Sequence, residues 1–308
     1  MAMGYAAIIT TVLLWSGFFL SLKGGAISAL QPADIALTRF LLPALVMLPF
    51  VIKHKCRITV IPLRYLVGMV IGCGLPYLLI ASTAMQYAPV SHGSALIPGT
   101  LPLFVSCIAI VCYQQPLSTI RKLGLTMLLI GIIVFLLSNL GSQYHWKQLY
   151  GHSLLLLGSL MWALFTISAR VANLSAHVAA GFVALISLGL LIISISMGWL
   201  DSYLAQTPLS EWPWETLLGH ILLQGIGAGL IASYTFLYAV RTIGAEASAA
   251  FGSLTPMVAT LLAIPIFNET PNTSTWIALT FITFGGIAAS NLFNREPINQ
   301  QYCPPKHK

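Results

Sequence analysis

Residues 4–23 read GYAAIITTVLLWSGFFLSLK, and residues 151–170 read GHSLLLLGSLMWALFTISAR. A leading Gly, a mid-run Trp and a closing basic residue recur at a constant offset of 147: Gly4 with Gly151, Trp15 with Trp162, Lys23 with Arg170. Further along, Ser94-Ala95 ahead of Pro102 returns as Ser248-Ala249 ahead of Pro256, Gly131 as Gly285 and Gln115 as Glu269, now at an offset of 154. The step of seven places an insertion of about one loop in the second copy. The chain therefore reads as a duplication, residues 1–141 and 151–294, with a tail at 295–308. Internal duplication of an apolar chain is how many carriers are built, with the substrate between the copies.

Charged residues make up 7% of the chain and hydrophobic ones 57%, with a mean hydropathy of +0.88. A soluble domain usually carries about a quarter charged residues, so this composition describes an integral membrane protein. The net charge of +7 is explained by its distribution across the membrane and is no sign of nucleic acid. The five cysteines, at 56, 73, 107, 112 and 303, show no metal-ligand spacing and read as small apolar fillers or free thiols. No metal or cofactor is expected. The first apolar run starts without a basic leader and reaches full spanning length, unlike a cleavable signal.

Crossing about 30 Å of hydrocarbon takes roughly 20 residues. Apolar runs of that length occur ten times, at about 3–22, 33–52, 65–86, 92–113, 121–140, 152–170, 176–199, 216–240, 247–267 and 275–293, so the expected fold is all-α with ten transmembrane helices. Alternate connections and the tail hold Lys53, Lys55, Arg57, Arg64, Arg121, Lys122, Arg170, Arg241, Arg295, Lys306 and Lys308, eleven basic residues, whereas the opposite set holds only Lys23 and Lys147. Basic loops stay in the cytoplasm, which predicts a multi-pass inner-membrane protein with both termini cytoplasmic and the 200–215 loop outside. Five spans per copy is an odd number, so the second copy enters the membrane inverted.

The fourth and ninth spans look broken. They read Ser94-Ala95-Leu96-Ile97-Pro98-Gly99-Thr100-Leu101-Pro102 and Ser248-Ala249-Ala250-Phe251-Gly252-Ser253-Leu254-Thr255-Pro256. Proline frees backbone carbonyls that need new partners in a bilayer. One such kink is ordinary; two at equivalent depths favour a cavity wall, with Ser94, Pro98, Ser248 and Ser253 as candidate substrate contacts. Trp15 and Trp162 sit mid-span, away from the usual interfacial belt. They read either as helix packing or as aromatic walls, joined by Phe19, Tyr77, Phe165 and Tyr234, against a flat substrate or a cation. Gly68, Gly72 and Gly74, and Gly225, Gly227 and Gly229, read as close helix packing, with Gln224 beside them as a hydrogen-bonding candidate. Arg39 reads as snorkelling to the outer surface or as a substrate contact. His92 and Glu246 begin equivalent helices and read as helix-terminus residues or as coupling groups. Glu269 reads as a structural bridge.

The order, spacing and duplication of Trp15 to Lys23, Arg39-Phe40, and Pro256 with Glu269 resemble the drug/metabolite transporter superfamily, specifically its EamA-type ten-helix members. The pattern departs from the family at Gln115, where an acidic residue is expected. The resemblance implies alternating-access transport of amino acids, metabolites or drugs through a cavity lined by helices 1, 3, 4, 6, 8 and 9. The expectation is a secondary transporter exporting amino acids or related small metabolites. Its alternative is a carrier for choline-like quaternary amines or other organic cations, and an intramembrane enzyme is the remote one. No catalytic motif is present, so no enzyme is expected. The expected partners are a small-molecule substrate and the bilayer, with the protein a monomer or dimer.

Overall fold

The computed structural model describes residues 1–114, 117–137 and 145–290; the tail and Gln115 lie outside them. Among the described residues the structure is helical throughout, with no strand. The helices are α1 (Ala2–Ala26), α2 (Pro32–Lys53), the short α3 (Lys55–Thr59), α4 (Leu63–Cys73), α5 (Leu75–Ala84), α6 (Val90–Tyr113), α7 (Thr119–Leu137), α8 (His145–Ala172) and α9 (Ala176–Ser196). They continue as α10 (Tyr203–Gln206), α11 (Trp214–His220), a stretch with wider π-type turns over Ile221–Ile231, α12 (Ala232–Ile243), α13 (Ala245–Gly252), α14 (Thr255–Phe267) and α15 (Thr273–Ala289). Eight helical stretches of the described residues are long and apolar enough to cross a membrane. The protein is an all-α membrane protein.

Local sequence explains the ends that matter. α2 opens with Pro32 in its first turn, where a missing N–H costs nothing, and Asp34 reaches back to accept the Gln31 N–H at 2.8 Å. The same carboxylate accepts the Ser202 hydroxyl at 2.6 Å and the Tyr203 and Leu204 amides at 3.0 and 3.3 Å. Asp34 thus pins the loop before α10 onto the start of α2. It is 1% exposed, and such a buried carboxylate persists because its lone pairs are filled.

Packing follows a regular scheme. α2 lies on α9, α7 on α15, α1 on α12 and the π-type stretch, α8 on α4 and α5, and α6 on both α8 and α14. Glycines permit the closest approaches. A Cβ on Gly124 would meet the Gly285 carbonyl, one on Gly285 would meet the Gly124 carbonyl, and one on Gly72 would run into the Met161 carbonyl and Phe165. Without a hydrophobic drive between helices in lipid, such backbone contact is what holds them together.

The breaks differ from those expected. α6 runs unbroken through Pro98 and Pro102. The ninth span does break, between α13 and α14 at Ser253-Leu254, and the third breaks at Gly74, between α4 and α5. Gly74 has ψ −150°, and its neighbour Leu75 donates its N–H to Ser187 Oγ at 3.0 Å. Pro76 then occupies the first turn of α5, the position where proline starts a helix rather than ending one. Gly68 and Gly72 are packing residues as expected, but Gly74 is also the break.

Candidate functional site

A cavity of about 50 Å³ lies inside the helices, lined by Trp15, Phe18 and Phe19 of α1, Arg39 of α2, Cys73 and Tyr77 at the α4–α5 break, Pro98 of α6, Trp162 of α8, Ala228 and Thr255. Trp15 and Trp162 meet edge to face, ring centroids 6.3 Å apart at 78°. Trp15 also meets Phe236 at 5.2 Å, and Trp162 meets Tyr77 at 6.0 Å. Edge-to-face pairs are the favourable geometry for ring quadrupoles, worth about 0.5–1.5 kcal/mol each. The two equivalent tryptophans therefore close on one another in this conformation. A cavity this size holds only a few waters.

Arg39 does not snorkel. Its guanidinium lies 5.5 Å from the Phe18 ring centroid, and Nη1 donates to the Gln224 carbonyl at 3.1 Å. That carbonyl belongs to the π-type stretch, whose backbone Gly225 brings close to Thr38 of α2. π-type turns are rare and concentrate at functional sites. Gln224 itself is fully buried; its side-chain amide donates to the Phe18 carbonyl at 3.2 Å, while its Oε1 has no partner. It braces α1. Thr255 is 1% exposed and its hydroxyl also lacks a partner.

Of the expected contacts, Trp15, Phe19, Tyr77, Pro98, Trp162 and Arg39 come together at the cavity. The others do not. Ser94 spends its hydroxyl on the Val90 carbonyl, Ser248 on that of Gly244 and Ser253 on that of Ala249. Phe165 packs in a separate small cluster with Met69, Ala172 and Val183, and Tyr234 is 60% exposed with its ring beside His177. The Glu246 side chain lies outside the described residues. Phe18, Cys73, Ala228 and Thr255 were not expected. Two of them had a signal: Phe18 is inside the Trp15–Phe19 aromatic run, and Thr255 directly precedes Pro256.

A second group gathers at the end of the molecule where α1 finishes. Glu269 accepts the Val90 N–H with both oxygens at 3.0 Å, so it caps α6 from the far end of α14 and is the bridge expected of it. Lys23 donates to the Met85 and Ala88 carbonyls at 3.3 and 3.1 Å. Burial raises the Glu269 carboxyl above its ordinary value, against the opposing pull of the Val90 N–H and Lys23. His92 does not cap a helix; its Nδ1 lies 2.8 Å from His152 Nε2 and its ring 4.8 Å from Phe135.

A family model described as the EamA-like transporter family matches residues 2–137 and again 149–291. The chain belongs to the EamA-like transporter family. It is a membrane transporter. It is 24% identical over 301 residues to the uncharacterised inner membrane transporter YedA of Escherichia coli K12, covering 96% of this chain and 94% of that one. An uncharacterised transporter of Clostridium kluyveri is 23% identical, with 93% of each chain covered. A protein of known crystal structure shares the fold at a TM-score of 0.62 and 20% identity, over 94% of this chain and 96% of that one.

Proposed function

We propose that this family member is a secondary carrier of ten spans, built as two inverted five-helix halves and exporting amino acids or related small metabolites by alternating access. Residues 1–141 and 151–294 form the halves, and both termini are cytoplasmic. One observation supports the reading: the cavity is lined from both stretches of the chain, with the equivalent tryptophans Trp15 and Trp162 both in its wall.

The packing scheme supports it. Exchanging each helix for its counterpart in the other copy turns the α1–α12 contact into α8–α5, the contact of α1 with the π-type stretch into α8–α4, the α6–α8 contact into α14–α1, and leaves α2–α9, α7–α15 and α6–α14 as themselves. A pair of halves related in this way has two packings of similar energy, one open to each side. The cavity's small volume means that a metabolite enters only if helices part, and the α13–α14 break supplies a place for that movement.

The test is counterflow. Proteoliposomes preloaded with an unlabelled amino acid will take up the same labelled amino acid faster than empty ones, and the stimulation will saturate. Uptake that ignores the internal load across all amino acids tried would remove the carrier reading. Choline is the second substrate to run, because ring faces also attract quaternary amines.

A further inference from the structure

Among the described residues Arg39 has no countercharge, and no carboxylate of theirs lines the cavity. Asp34, on the same helix, is saturated by Gln31, Ser202, Tyr203 and Leu204, and Glu269 is spent on Val90 at the end of the molecule. The guanidinium has five N–H donors, and one of them meets the Gln224 carbonyl. An intramembrane cation normally faces a partner or a ligand. Thr255 lines the same cavity, and its buried hydroxyl has no hydrogen-bond partner.

From this juxtaposition we infer that Arg39 and Thr255 form a carboxylate subsite, so that the transported molecule is an organic carboxylate whose apolar body lies against Trp15 and Trp162. The inference rests on the proposed transport role of this cavity. A planar carboxylate takes two parallel N–H donors from a guanidinium and leaves a lone pair for a hydroxyl. One guanidinium and one hydroxyl match a single negative charge; a dianionic phosphate would call for more cation than the lining holds. The same positive charge repels a quaternary amine, so the aromatic rings here serve as stacking walls rather than as a cation cage.

The experiment measures binding of three probes to purified protein in detergent: phenylalanine, phenylalaninamide and choline. Wild type is expected to bind phenylalanine at least tenfold more tightly than phenylalaninamide, with choline weakest. Arg39→Gln should abolish the preference by losing phenylalanine affinity alone. Arg39→Lys, which keeps the charge but not the fork, should keep the preference at reduced affinity. Thr255→Val should weaken phenylalanine several-fold, and it serves with Arg39→Lys if Arg39→Gln fails to fold. A preference that survives Arg39→Gln, or choline binding best, overturns the subsite. The two readings fail differently. If only the subsite is wrong, Trp15→Ala still weakens binding; if the cavity is not the binding site, Trp15→Ala and the Arg39 variants all bind as wild type does.

Discussion

Ser94–Pro102 and Ser248–Pro256 descend from one motif, yet one is a continuous helix and the other a break. In α6, residues 91–97 are all buried, and the Thr100 hydroxyl bonds the Leu96 carbonyl at 2.6 Å between the two prolines. α6 lies between α8 and α14, and packing on both flanks holds it straight through Pro98 and Pro102. In the second copy Phe251, Gly252, Ser253 and Leu254 are only half-buried. There the helix ends at Gly252 and restarts at Thr255, and the Ser16 hydroxyl of α1 donates across to the buried Thr255 carbonyl at 3.3 Å. A proline sets where a helix is weak; the packing around it decides whether it parts. In the proposed transport cycle this makes α6 the fixed wall and α13–α14 the wall that moves.

Replacing each proline separately tests that inequality with the largest expected effect. Pro256→Ala removes the ring that keeps α13 from running on into α14, so one continuous helix can replace the break. Transport should fall about tenfold while folded yield changes by less than about twofold. Pro102→Ala, in a helix already continuous, should cost transport no more than about twofold. Equal effects, or none, would erase the distinction between the walls.

The tryptophans make the opposite comparison, because here the two copies are alike. Trp15→Ala and Trp162→Ala should each weaken substrate binding about fivefold, or about 1 kcal/mol, at unchanged expression, and Trp15→Phe should be milder. Wild-type binding in both alanine variants would return the pair to helix packing. Markedly unequal losses would show that the substrate leans on one half.

Glu269 gives the smallest effect and concerns the ends of the two walls, since it ties α14 to the start of α6. Its carboxyl is raised by burial, so ionisation works against the folded state. Stability should therefore rise as pH falls from neutral through its folded value, the reverse of a salt-bridged carboxylate. Relative to Glu269→Gln, wild type should gain melting temperature between pH 8 and pH 5. A relative loss would mean that the Val90 and Lys23 contacts outweigh burial.

The cavity was half legible in the sequence, and the residues show why. Trp15 and Trp162 announced themselves by duplication and by a depth that the interface does not explain. Pro98, Tyr77 and Phe19 followed because they lie on the same spans. Arg39 was ambiguous because direction depends on helix rotation, which the π-type stretch and its close glycines set from a distance of 185 residues. The same indeterminacy applies to Phe165 and Tyr234, which are not among the residues lining the cavity. At Gly74 the signal was present, as Cys73-Gly74-Leu75-Pro76, but a run of spaced glycines reads equally as packing. Ser94, Ser248 and Ser253 show a different limit: a hydroxyl in an apolar helix finds its own i−4 carbonyl, and the sequence does not show that.

Cys73 lines the cavity and so reports its access from each side. In a variant keeping Cys73 while Cys56, Cys107, Cys112 and Cys303 are replaced by alanine, a small anionic thiosulfonate is applied to right-side-out and to inside-out vesicles. Alternation between two walls predicts that Cys73 is modified from either face and that the amino acid supporting counterflow slows both reactions. Modification from one face only, whatever substrate is present, would contradict it.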